Sequence, residues 1–122
     1  MNKEQALQSF WSSFGLPAYD ENTVPDTAQM PYITYSTETD SFENVVNLTA
    51  SIWYRSTSWA AITQKKNAIA ENVGVGGKVI KIDDGYVWLT RGTPFASRMS
   101  DPNDDAVRRI YINLEAEFLT AN

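Results

Sequence analysis

Val45-Val46-Asn47-Leu48-Thr49-Ala50-Ser51-Ile52-Trp53-Tyr54-Arg55 is the stretch from which the fold follows. Val46, Leu48, Ala50, Ile52 and Tyr54 fall on one side of an extended chain. Asn47, Thr49, Ser51 and Arg55 fall on the other, with Trp53 among them. Side chains of a strand alternate between faces, so this segment reads as a half-buried strand with a polar outer side. Val107 to Leu119 repeats the pattern. Ile110, Ile112, Leu114, Ala116 and Phe118 face one way; Arg109, Tyr111, Asn113, Glu115 and Glu117 face the other. Two such strands predict a sheet with one apolar face that needs a cover.

Two amphipathic segments supply that cover. Over Glu4 to Phe14, Leu7, Phe10, Trp11 and Phe14 recur at helical spacing, and Gly15 and Pro17 end the run. Ser58 is a suitable N-cap for a helix from Trp59 to about Val73, with Trp59, Ile62, Ile69 and Val73 on one face. Gly74, Gly76 and Gly77 stop it. Tyr32 to Thr37, following Pro31, reads as a further strand. Lys78 to Asp83 and Tyr86 to Arg91 read as a hairpin around Asp84-Gly85, a pair suited to turn positions with φ > 0.

The remaining segments read as connections. Ala18 to Met30 is aperiodic and polar, an extended loop. Glu38 to Asn44 reads as a hairpin loop. Gly92 to Ala106 holds Pro94, Pro102 and a run of charges, and reads as a long polar loop. The expected fold is α+β in the order α-β-β-α-β-β-β: a mostly antiparallel sheet of about five strands with two helices packed on one face. With 122 residues and no internal repeat, the chain is expected to form one domain.

Composition excludes much chemistry. The chain contains no cysteine and no histidine. Disulfides, thiolate ligands, thiol nucleophiles and imidazole bases are therefore excluded. With 10 basic and 15 acidic residues the net charge is −5, opposite to what a nucleic-acid binder needs. No apolar run resembles a signal peptide or a membrane span, so synthesis in a cytoplasm with no membrane partner is expected. Asn47-Leu48-Thr49 matches a glycosylation sequon by chance, inside a strand.

The polar clusters each have an ordinary explanation. Asp101-Pro102-Asn103-Asp104-Asp105 begins like a calcium loop, but Ala106 stands where glycine is needed and Ile112 where the closing glutamate should be. Asp83-Asp84 suits a turn. Glu115 and Glu117 share the wet side of a strand, and Gly74 to Gly77 follows a helix where a phosphate cradle would precede one. No metal, cofactor or catalytic residue is expected. Asp101, Asp104, Asp105, Arg108 and Arg109 are the candidates for a subunit or partner interface. Arg108 and Arg109 must point to opposite faces.

Taken together, the Leu7–Phe14 helix, Pro31-Tyr32-Ile33-Thr34-Tyr35, Leu48-Thr49-Ala50-Ser51-Ile52-Trp53-Tyr54-Arg55, the Ser58-capped helix with its glycine stop, Trp88-Leu89-Thr90-Arg91-Gly92-Thr93-Pro94 and Arg108-Arg109-Ile110-Tyr111-Ile112 resemble the tail-terminator (tail-completion) proteins of siphophages. The likeness runs along nearly the full chain and lies in a pattern of strands and aromatics. It implies a non-enzymatic virion protein at the head-proximal end of the tail. Such proteins form a hexameric ring that caps the tail tube, ends its polymerisation and joins the head. The implied partners are other copies of the chain, the tail tube protein and a head-completion or neck protein, with DNA only passing through the lumen. Three alternatives stand beside it: another phage neck protein such as a head-closure protein, a small cytoplasmic ligand-binding or regulatory domain and, behind these, a carboxylate-based hydrolase.

Overall fold

The computed structural model describes residues 1–37 and 45–120. It is α+β, in the order α1 (Lys3–Ser12), β1 (Ala18–Asp20), β2 (Tyr32–Tyr35), β3 (Val45–Arg55), α2 (Ala60–Val73), β4 (Lys78–Ile82), β5 (Gly85–Ser100) and β6 (Val107–Thr120). The strands form one six-stranded sheet in the order β1-β2-β3-β6-β5-β4. β1 pairs with β2 in parallel; every other neighbouring pair is antiparallel.

The sheet is organised by β3 and β6, which pair along their length from Val45↔Glu117 to Arg55↔Val107. Their inward residues, Val46, Leu48, Ala50 and Ile52 against Ile110, Ile112, Leu114 and Ala116, are all buried. They share one core with Ala6, Leu7, Phe10 and Trp11 of α1 and Ile62, Ile69 and Val73 of α2. Both helices therefore cover the same face of the sheet. Phe10 stands edge-on to Trp11 and Phe14, and Trp11 stacks on Tyr35, which joins α1 to β2.

Helix ends follow local chemistry. Asn2 caps α1: its side chain accepts from the Gln5 amide at 2.8 Å, and the Gln5 side chain accepts from the Asn2 amide at 3.0 Å. α2 begins one residue later than expected, with Trp59 at the cap. Ser58 Oγ accepts from the Ala60 amide at 3.1 Å, so the serine still closes the turn into the helix. At the far end the Arg91 guanidinium donates to the Ala70 carbonyl, placing a cation at the negative end of the helix.

Three expectations are corrected. The connection Ala18 to Met30 contains β1, a short strand hidden by the absence of any alternating run. With it the sheet has six strands, and the order becomes α-β-β-β-α-β-β-β. The expected loop Gly92 to Ala106 is strand as far as Ser100, leaving only Asp101 to Ala106 as the connection. A bulge hid it. Arg91 faces Leu114 and Ala96 faces Ile112, so Gly92–Phe95 oppose the single Asn113. Odd-numbered residues point inward before the bulge (Val87, Leu89) and even-numbered ones after it (Ala96, Arg98), which breaks the period-two signal. The β4–β5 turn is Asp83-Asp84, not Asp84-Gly85, since Ile82 pairs with Gly85. Neither aspartate has φ > 0. The expected Glu38–Asn44 loop lies outside the described residues.

Candidate functional site

The five predicted interface residues gather at the tip of the β5–β6 hairpin. Asp101 Oδ1 accepts from the Asn103 amide at 2.8 Å, an Asx turn that starts the connection. Asp104 is engaged within the chain. Its Oδ1 accepts from the Ala106 amide and its Oδ2 from Arg55 Nη1, both at 2.9 Å. The amide bond first, and then Arg55, hold its carboxyl below the usual carboxylate range. Asp105 is exposed, and its carbonyl accepts from Arg108.

The two arginines part to opposite faces. Arg108 lies on the helix side and donates to the Thr57 carbonyl at 2.9 Å. Trp59 sits between Arg108 and Arg98, with guanidinium carbons 5.3 and 4.8 Å from its ring centre. Arg109 lies on the outer face, 4.6 Å from the Trp53 ring and 5.7 Å from Tyr111, with Nε donating to Ser51 Oγ at 3.0 Å. That cover buries Ser51 although it points away from the core. Tyr19, Tyr32 and Trp53 extend the same stripe across β1, β2 and β3, and Trp53 Nε1 donates to Thr34 Oγ1 at 3.0 Å.

The outer face is therefore graded. An aromatic and arginine stripe lies at the end near the hairpin tip. A polar middle holds Asn47, Thr49, Asn113 and Glu115. The end near Asp83-Asp84 exposes Val45, Val79, Tyr86, Trp88 and Leu119, with Val79 60% exposed. Register makes these last residues neighbours: Val45 faces Glu117, Glu117 faces Trp88, and Trp88 faces Val79. An exposed apolar group of this kind marks a surface that a partner can cover.

Two clefts flank the sheet on the helix side. One, about 550 Å³, opens between α1 and the β1 edge and is lined by Glu4, Gln8, Asp20 and Tyr35 among others. Burial, and then the charge of Asp20, push the Tyr35 hydroxyl up; it donates to Gln8 Oε1. The other, about 160 Å³, lies between α2 and β5 and is lined by Thr63, Lys66, Ala96, Ser97, Arg98 and Ile110. Sequence reading missed Thr63, Lys66 and Arg98 as a group. Arg98 fell in the expected loop, and no spacing in the sequence links it to Thr63 and Lys66, more than thirty residues before it.

No protein-family model matches the chain, and no curated protein matches it. Among solved structures, the fold is similar to that of a chain in the virion of a native gene transfer agent particle. The match has a TM-score of 0.58 at 17% identity and covers 95% of this chain and 90% of that one.

Proposed function

We propose that the chain is a structural protein of a phage-like virion and that it acts as the tail terminator. In this reading copies assemble into a ring, most simply a hexamer, on the head-proximal end of the tail tube. The ring ends polymerisation of the tube protein and offers the surface to which a head-completion or neck protein binds. One observation carries the reading: the likeness of fold, over nearly the full length of both chains, to a protein of a gene transfer agent virion.

The chemistry agrees with a role in assembly. Histidine and cysteine are absent, and the most prominent carboxylate cluster serves as a turn. The reading requires no reaction and no cofactor. Two surfaces are suited to contact: the hairpin tip, where Asp101, Asp104 and Asp105 form the turn and Arg108 and Arg109 flank it on opposite faces, and the apolar end of the outer face. A net charge of −5 disfavours retention of DNA passing through the lumen.

The test is electron microscopy of tail tubes assembled from tube protein alone and then mixed with the purified protein. The expected result is added density at one end of each tube and a halt to further growth. Decoration along the whole tube, or binding to heads and never to tubes, contradicts the proposal.

A further inference from the structure

We infer that successive copies join head to tail through their sheets: the open edge of β5 in one copy receives the acidic β1 edge of the next. This rests on the ring reading and specifies the contact that would build it. The first observation is an unpaired edge. β4 pairs only with Gly85–Leu89 of β5, and among the described residues no strand covers the same edge from Ala96 to Ser100. Ser97 to Ser100 are all exposed. Such an edge is a template for another strand.

The second observation is height. The ladder runs Ala18–Ile33–Ile52–Ile110–Arg98, then Tyr19–Thr34–Ser51–Tyr111–Ser97, then Asp20–Tyr35–Ala50–Ile112–Ala96. β1 and the open part of β5 thus end the same three rows on opposite sides of the sheet. The pairing directions also make β1 antiparallel to β5. A neighbour in the same orientation therefore presents β1 at the right level and in the right direction, with its helices on the same side. This is a heterologous contact, of the kind that closes into rings.

The third observation is charge. Residues 15–37 contain Asp20, Glu21 and Asp26 and no lysine or arginine. The opposite edge carries Lys78, Lys81, Arg91 and Arg98, with Lys66 beside them on α2. Asp20 lies on the helix side of its edge and Arg98 on the helix side of the other, so the contact brings them to the same face. The small cleft there also contains Thr63 Oγ1, a buried hydroxyl with no hydrogen-bond partner. Lys66 and Arg98, at the mouth of this cleft, suit an incoming carboxylate. On the β1 edge the Ala18 carbonyl accepts from Gln8 Nε2 at 3.2 Å and the Asp20 carbonyl from the Thr23 amide at 3.0 Å; a neighbour's amides would replace the first and share the second acceptor.

The test is charge reversal read by sedimentation velocity, with the full chain alone and on tail tubes. Lys66→Glu with Arg98→Glu is expected to weaken self-association about tenfold or more, as is Asp20→Lys with Glu21→Lys. The chain carrying all four changes is expected to regain it, which also shows that the separate variants did not simply misfold. On assembly, the outward-facing backbone amides of Ala96 and Arg98 should become protected from hydrogen exchange, whereas those of Ser97 and Met99 already face β6. Wild-type assembly that survives both reversals, with the Ala96 and Arg98 amides unprotected, overturns the edge contact and leaves the ring reading standing. A wild-type chain that stays monomeric even on tubes overturns both.

Discussion

At the residue scale, two glycines have opposite tolerances. Gly92 opens the β5 bulge, where an added Cβ would lie 2.8 Å from Asn113 Cβ and 2.9 Å from its carbonyl oxygen. Gly92→Ala should cost about 1–3 kcal/mol in urea unfolding. Gly76 has nothing within 4 Å of an added Cβ, and its φ is not positive, so Gly76→Ala should leave stability nearly unchanged. Equal effects would show that the bulge is not tightly packed. Asp104 gives a pH prediction. Its folded-state pKa lies below that of the unfolded chain, so the fold favours its ionised form. The associated stabilisation is full above the ordinary carboxylate range and is lost as pH falls through the lower folded value. In an NMR titration, Arg55→Ala should raise the Asp104 pKa without fully normalising it, because the Ala106 amide remains. No change would rule out Arg55 as a cause. These contacts were not legible in the sequence: Arg55 and Asp104 are joined only because β3 and β6 pair from end to end.

At the element scale, legibility followed periodicity. β3 and β6 alternate cleanly over more than ten residues, and both lie where their alternation puts them. The two helices were equally readable, since Leu7, Phe10 and Trp11, and Ile62, Ile69 and Val73, meet the core at helical spacing. What failed had a physical cause in each case. β1 is three residues long and buries little beyond Ala18, so it carries no pattern of its own. The second half of β5 changes parity at its bulge and extends beyond the core, so Ala96, Arg98 and Ser100 face inward without being large apolar residues. The open edge of β5 lies beyond that bulge, because β4 pairs only with Gly85–Leu89. Two stability predictions belong here. Asn2→Ala removes the α1 capping box and should cost about 1 kcal/mol; an unchanged midpoint would mean the cap does not stabilise the helix. Ile112→Ala, at a fully buried position in the central strand, should cost about 2–5 kcal/mol in the same assay.

At the scale of the whole molecule, the sheet has one face given to the core and the other left to solvent, and its two edges differ in charge. That asymmetry suits a subunit that repeats, because a head-to-tail contact needs two different complementary surfaces on every copy. The hairpin tip offers a further test of contact. Asp105 is exposed, whereas Asp104 is tied to Arg55 and Ala106, so Asp105→Asn is the informative change. It should leave the melting temperature nearly unchanged and weaken binding to tubes; normal binding would remove Asp105 from the contact surface. The partner readings came from resemblance, not from any reactive pattern in the residues, and the central claim is therefore one of assembly. Native mass spectrometry of the purified protein, before and after release from capped tail tubes, tests it most directly. A closed ring of identical copies, hexameric in the simplest case, is the predicted result. A chain that remains strictly monomeric and never associates with tubes would contradict it.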